Sequence, residues 1–222
     1  MEAIGSVLWP VVVSWPDAAF AVSILLQFIQ NPRPTHWEVL KHVIVFLRSI
    51  KDLWLTFIGQ SKPAAEGFYN VDWGGQKHCH SISGYSFHMG AGAISWSSKK
   101  QHIVALSSTE AEYIVQMHTA KEALWLHSFL QELHSTPDDP LILNCDNQGA
   151  IALAKDNKFH ACTKHIDMHY HFICEAAEDG KVTVQYILTR DNVSNIFTKP
   201  LTKAKFWELT ELLGLHMIMH KE

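Results

Sequence analysis

Residues Gly67 to Gly75 read GFYNVDWGG, an apolar run that carries Asn70 and Asp72 on alternate positions and stops at two glycines. Alternation with a period of two, closed by Gly-Gly, describes a β-strand running into a turn. SISGYSFHMG and AISWSSKK follow as further short β-like runs, separated by Gly and Ser clusters, so the three predict an antiparallel meander.

Outward from the meander the pattern turns helical on both sides. Upstream, a helix is expected from Asp17, its N-cap, through DAAFAVSILLQFIQ to a stop at Asn31-Pro32. A second is expected from Thr35, whose T-x-x-E pattern with Glu38 reads as a capping box. Trp37, Leu40, Val43, Ile44 and Leu47 form its apolar stripe, and Arg48 and Lys51 lie near its end, where the helix dipole favours cations. The two apolar faces predict a helical hairpin, followed by a short β-like run, WLTFIG.

Downstream, Ser107 and Glu110 form another capping box at the head of a long helix, AEYIVQMHTAKEALWLHSFLQEL, which stops before Pro137. LILNCD (141–146) reads as a strand feeding the helix NQGAIALAKD, and TKHIDMHYHFICEAAEDG as a helix up to Gly180. VTVQYIL is a strand, and KAKFWELTELLG a final helix after Lys199-Pro200. The order αα-βββ-α-β-α-α-β-α predicts an α/β fold, a mixed sheet covered by helices and preceded by a helical hairpin.

Composition bounds the function. Of 222 residues, 47% are hydrophobic and eight are Trp, which excludes a disordered chain. Cys79, Cys145, Cys162 and Cys174 are widely spaced, without a C-x-x-C pair, and read as reduced thiols of an intracellular protein, cytoplasmic or nuclear. The N-terminal MEAIGSVLWPVVVSWPD has Glu2 where a signal peptide needs a basic start, Pro10 and Pro16 interrupt it, and Asp17 ends it short of a membrane span. The net charge of −4 supplies no global attraction for nucleic acid, so local geometry would have to provide any contacts.

Four positions place a polar residue where a strand ends or a helix begins: Asn70, Glu112, Asp146 and Asn195. Points this distant in sequence converge only at a sheet edge or crevice. Four acids so placed would form a like-charge cluster tolerable only around divalent cations, the arrangement used in two-metal phosphodiester hydrolysis. Read alone, Glu110 and Glu112 are equally at home in a first helical turn, and Asp146 as an N-cap.

The segments ISWSSKKQHIVALSSTEAEYI, LNCDNQGAIAL, FHACTKHIDMHYHFI and NIFTKPL, in this order, resemble the ribonuclease H domain of copia-type retrotransposon polyproteins. WPDAAFAVSILLQFIQNPRPTHWEVLKHVIVFLRSIKDLWLTF resembles the thumb and connection segment that follows the reverse transcriptase palm there. The resemblance covers nearly the whole chain. It implies a ribonuclease H-like mixed five-stranded sheet over residues 64–200, a thumb-like helical segment over 1–60, and a C-terminal helix and tail over 201–222. No Y-x-D-D motif is present, so the resemblance does not extend to polymerisation.

What the resemblance implies for activity is cleavage of RNA in an RNA/DNA hybrid, with Mg²⁺ or Mn²⁺. Carried over residue by residue, the family's D-A-D-W-A-G reads N-V-D-W-G-G here, so its first acid is Asn70 while Asp72 is kept. Glu112 matches the glutamate of A-E-Y and Asp146 the aspartate of C-D-N. The acid of A-D-I-F-T-K is Asn195. An amide oxygen brings no charge to a metal, and losing about 3 kcal/mol of charge stabilisation slows a reaction roughly 100-fold. Weak or absent hydrolysis is therefore expected, with Asp72 or Asp191 as the residues that could compensate. The alternatives are an inactive nucleic-acid-binding module and a relic without an enzymatic role.

Ser97, Ser98, Lys99 and Lys100 in W-S-S-K-K are the expected nucleic-acid contacts, with Trp73 and Trp96 as packing or stacking groups. His165, His169 and His171 have a spacing that can hold zinc, but no H-E-x-x-H or acidic partner stands beside them, and a polar helix face is the expectation.

Overall fold

The computed structural model describes residues 2–57, 59, 65–76, 79–133, 140–155 and 175–217. At its centre lies β2 (Glu66–Asp72), the strand of the NVDWGG stretch. The meander forms as expected: β3 (Ile82–Met89) pairs antiparallel with β2, and β4 (Gly92–Lys100) with β3. On the other side β5 (Leu141–Cys145) runs parallel to β2, and β6 (Val182–Tyr186) parallel to β5. The order β4-β3-β2-β5-β6 gives the mixed five-stranded sheet with flanking helices of a ribonuclease H-like fold.

Period-two alternation along β2 divides the core. Tyr69 faces a cluster with Phe87, Leu143, Val115 and Ala120, beneath α4 (Ser108–Glu132) and α5 (Gln148–Lys155). Phe68 faces the opposite cluster of Phe197, Leu209 and Leu213, under a 3₁₀ turn (Val193–Phe197) and α6 (Lys203–Leu212). Gly84 is what lets the 3₁₀ turn lie against β3: a Cβ there would sit 2.6 Å from Cβ of Phe197 and 2.7 Å from Cγ2 of Thr198.

The head of α4 is capped as its sequence predicts. Ser107 Oγ accepts from Glu110 N at 3.1 Å, and Glu110 Oε2 accepts from Leu106 N at 2.6 Å.

The N-terminal region differs from expectation in three ways. Residues Glu2–Val13 form a helix, α1, despite Pro10, because Ile4, Val7 and Val11 fall on one buried face. Asp17 lies in a 3₁₀ turn (Pro16–Ala18) ahead of α2 (Ala19–Leu26) and makes no cap bond. The cap of α3 (Pro34–Ser49) is formed by His36, whose Nδ1 accepts from Arg33 N at 3.1 Å. Glu38 instead pairs with Lys41 at 2.9 Å. In the α3 stripe Leu40, Val43 and Leu47 are buried with Val22 and Leu25 of α2, whereas Trp37 and Ile44 are exposed.

These helices rest on the edge strand β4. Trp96 Nε1 donates to Val11 O at 3.0 Å, and Ser23 Oγ lies 3.0 Å from Ser98 Oγ. β1 (Leu53–Leu55) pairs with β7 (Leu215–Met217), a strand not foreseen, in a separate two-stranded sheet. Among the described residues no helix is long and apolar enough to cross a membrane. His165, His169 and His171, with most of their expected helix, lie outside the described residues.

Candidate active site

Asn70 and Asn195 meet directly. Asn70 Nδ2 donates to Asn195 Oδ1 at 2.7 Å, and Asn70 Oδ1 accepts from Val71 N at 2.6 Å. Asn195 Nδ2 donates to Thr189 O at 2.6 Å and to Asn192 O at 2.7 Å. Backbone carbonyls only accept, so the group facing them must be the NH₂, and this fixes the orientation of the Asn195 amide. Both side chains are almost fully buried, at 3% and 4% exposure.

Asn192 builds the turn that carries Asn195. Its Oδ1 accepts from Ser194 N at 3.1 Å and from Ser194 Oγ at 2.6 Å, and its Nδ2 donates to Tyr69 O at 2.9 Å. One side chain therefore caps the 3₁₀ turn and ties it to β2. Sequence reasoning missed Asn192; the signal was an Asn at the head of NVSN, a capping position.

Glu112 enters from the first turns of α4 and is 5% exposed. Burial first, then the nearby Asp146 charge, push its pKa to about 8, against the Val71 amide and the Lys199 ammonium. Asp146 follows β5 and is half-buried. It does not cap α5, because Asn147 Oδ1 takes that role, accepting from Ala150 N at 3.1 Å. Asp146 is thus left to the crevice beside Glu112. Lys199, which acts on both Glu112 and Asp72, is a second residue the sequence did not single out.

Neither residue expected to compensate joins this group. Asp72 is half-buried at the end of β2, where burial raises its pKa and Lys199 draws it down. Asp191 ends a separate 3₁₀ turn (Thr189–Asp191), is exposed, and lies 3.5 Å from Arg190. Asn192 is extended between the two turns, so Asp191 is not a helical neighbour of Asn195.

The donor set does not fit a pair of divalent cations. Each of the two amide oxygens already accepts a hydrogen bond within the protein, and the carboxyl groups of Glu112 and Asp146 are the two that remain. Among the described residues no three His, Cys, Asp or Glu side chains gather in a way that could hold a metal.

Ser97, Ser98, Lys99 and Lys100 lie on β4, at the end of the expected β-like run AISWSSKK. Ser98 is engaged inside the fold, donating to Phe197 O at 2.6 Å. Lys99 is exposed and Lys100 half-buried. The register Asp72↔Ile82↔Lys100 puts Lys100 at the same end of the sheet as the crevice, two strands or about 10 Å from β2. Trp96 packs through its bond to Val11, and Trp73 donates to Ala105 O at 3.1 Å while half its surface stays exposed.

Fold and site together define an α/β domain of the ribonuclease H-like class, with two acids and an amide pair gathered at its strand ends. The chain is 41% identical over 216 residues to the retrovirus-related Pol polyprotein of transposon TNT 1-94 from Nicotiana tabacum, a match covering 97% of this chain and 16% of that one. It is 35% identical over 201 residues to the Pol polyprotein of transposon RE2 from Arabidopsis thaliana, covering 90% and 14%. The chain is similar to these copia-type retrotransposon Pol polyproteins and spans about a sixth of their length.

It is also 42% identical over 127 residues to secreted RxLR effector protein 161 of Plasmopara viticola, covering 57% of this chain and 89% of that protein. Among solved structures it is similar to LC11 ribonuclease H1 in complex with an RNA/DNA hybrid, with a TM-score of 0.45 at 11% identity over 60% of this chain and 93% of that one. The N-terminal ribonuclease H domain of a Mycobacterium tuberculosis protein gives a TM-score of 0.46 at 8% identity over 68% and 98%. No family model matches the chain.

Proposed function

We propose that this chain is the ribonuclease H-type part of a copia-type Pol polyprotein, that it engages RNA/DNA hybrid at the crevice end of its sheet, and that its hydrolytic activity is weak or lost. The observation that carries the reading is the direct bond between Asn70 and Asn195, 2.7 Å long, at the two positions where the family resemblance implies acids. Two carboxylates at that separation would repel unless a cation lay between them, whereas two amides attract. Burial keeps Glu112 largely protonated near neutral pH. The field that would concentrate divalent cations is correspondingly small. Mg²⁺ is held elsewhere by a few carboxylates plus substrate oxygens, so Glu112 and Asp146 are the residues that would meet a single ion delivered with substrate.

Binding outlasts hydrolysis in this reading, because phosphate contacts from Lys99, Lys100 and Ser97 depend on neither amide. Residues 1–60 act as the helical segment that braces β4, residues 64–200 as the hybrid-facing domain, and residues 201–222 as its closing helix and tail.

The test is cleavage of a labelled RNA/DNA hybrid across a Mg²⁺ and Mn²⁺ series, with the double reversion Asn70→Asp, Asn195→Asp beside the parent. The expected result is parent activity at least ~100-fold below the revertant. Metal-dependent cleavage by the parent at the revertant's rate, abolished by Asp146→Asn, would overturn the loss of activity. Absence of salt-dependent binding to a cleavage-resistant hybrid would overturn the nucleic-acid reading itself.

A further inference from the structure

The last residues of β4 form a ridge between two clefts. One cleft, of about 630 Å³, opens between the sheet and α4, with Tyr85 and Ser97 in its floor and Glu110, His118 and Glu122 along its α4 wall. The other, of about 530 Å³, opens toward α2 and is walled by Ser23, Leu26 and Gln27, with His80 at its end. Lys99, Lys100, Gln101 and His102 line both. The strand pleat roots the two lysines on opposite faces: Ser98 bonds toward the α2 side, so Lys100 shares that side and Lys99 the α4 side.

The charges of this ridge are not balanced within the fold. Lys99, Lys100 and Lys121 outnumber Glu110 and Glu122 along the α4 cleft, the two carboxylates accepting from Leu106 N and Ser95 Oγ, each at 2.6 Å. The ion pairs of the described residues include neither Lys99 nor Lys100. The ridge is also rigid. Gln101 is 5% exposed, its Nε2 donates to Ser83 Oγ at 2.8 Å and to Ala111 O at 2.9 Å, and its carbonyl lies 2.9 Å from His80 Nδ1.

From this we infer that the two clefts and the Lys99–Lys100 ridge form one binding track for a single-stranded polynucleotide, with α2 as one of its walls. Two ammonium groups without an ion pair among the described residues suit consecutive phosphates. A flexible strand can pass over the end of an edge strand from one face to the other, and the ring of Tyr85 offers a stacking surface, the combination found in single-strand binding grooves. A stiff duplex can meet both lysine heads at the strand's end but cannot bend into both clefts. The inference rests on the reading that the domain handles nucleic acid, and adds which form of it this surface takes and that the N-terminal helices take part.

The experiment is fluorescence anisotropy of a labelled 12-nucleotide oligo-dT over a salt series, with a cleavage-resistant hybrid of the same length measured in parallel. Lys99→Ala with Lys100→Ala is expected to weaken oligo-dT binding about tenfold or more and to lower the magnitude of the salt slope by about 1.4, two phosphate contacts' worth for a single strand. Gln27→Glu and His118→Glu, surface changes on the two outer walls, are each expected to weaken oligo-dT binding while leaving hybrid binding within twofold.

Unchanged oligo-dT affinity in the double lysine variant, beside measurable hybrid binding, overturns the track and leaves the hybrid reading standing. Lysine-dependent oligo-dT binding without hybrid binding does the reverse. Full displacement of oligo-dT by millimolar inorganic phosphate, or by polyglutamate at equal charge, identifies a general anion patch and also overturns the track.

Discussion

Asn70 and Asn195, 125 residues apart in sequence, are joined by a single hydrogen bond of 2.7 Å between a strand and a 3₁₀ turn. The bond works because each amide offers a donor and an acceptor. At Asn195 the NH₂ faces two carbonyl oxygens, so a carboxylate placed there in the same geometry would set an oxygen anion against both.

The reverted carboxylates should therefore cost stability when no metal is present. Asn70→Asp with Asn195→Asp is expected to lose about 3 kcal/mol in EDTA at pH 8, the scale for an uncompensated buried charge. Mg²⁺ should restore part of that loss in the revertant and change the parent little. Thermal melts with and without Mg²⁺ check this; a revertant as stable as the parent in EDTA would contradict the amide geometry.

Asn192 should matter as much as either of them. It is fully buried and makes bonds to Tyr69 O, Ser194 N and Ser194 Oγ. Asn192→Ala leaves buried polar groups unpaired, and a loss of about 2 to 3 kcal/mol is expected by urea denaturation.

Gly84→Ala tests how closely the turn sits on the sheet. The added methyl would meet Phe197 and Thr198 inside van der Waals contact, so the turn must lift. Overpacking of this kind costs about 1 to 3 kcal/mol. The lift should also loosen the Asn70–Asn195 bond, seen as faster hydrogen exchange at residues 193–198 than in α4.

Stability should fall as pH rises from about 4 to about 8. Burial raises the pKa of Glu112 from 4.5 to about 8 and that of Asp17 from 3.8 to about 7. Among the described residues neither carboxyl oxygen of Asp17 has a well-formed hydrogen-bond partner, and the nearby Ala18 and Asp17 amides only partly offset its burial. In both residues the folded state keeps a proton that the unfolded chain has released, so between the two pKa values each further rise in pH favours unfolding. Asp17→Asn and Glu112→Gln should each flatten this slope and stabilise the protein at pH 8, by about 1 to 3 kcal/mol for Asp17→Asn. Urea midpoints at pH 5 and pH 8 check the sign.

Local signals were enough for much of the fold. The alternation in GFYNVDW and the Gly-Gly stop gave β2, and Ser107 with Glu110 gave the head of α4, because strand period and capping are settled within a few residues. The cap of α3 differs from the expected one because Pro34 opens the helix, which makes Arg33 the N-cap in place of Thr35 and His36 the N3 residue in place of Glu38. Helix α1 was not expected because Pro10 reads as a breaker, although Ile4, Val7 and Val11 already showed the helical spacing that the neighbouring helices bury.

The sequence by itself determined which residue types stand at the four strand and helix ends, and that two of them are amides, because those are properties of single positions. Only the tertiary structure decided that the two amides bond to each other, that Asp191 faces solvent, that Asn147 rather than Asp146 caps α5, and that Lys99 and Lys100 sit on a strand between two clefts. Each of these depends on contacts between segments far apart in the chain. No local period or propensity encodes them, and they are fixed when the 3₁₀ turn settles on Gly84 and the N-terminal helices close against β4.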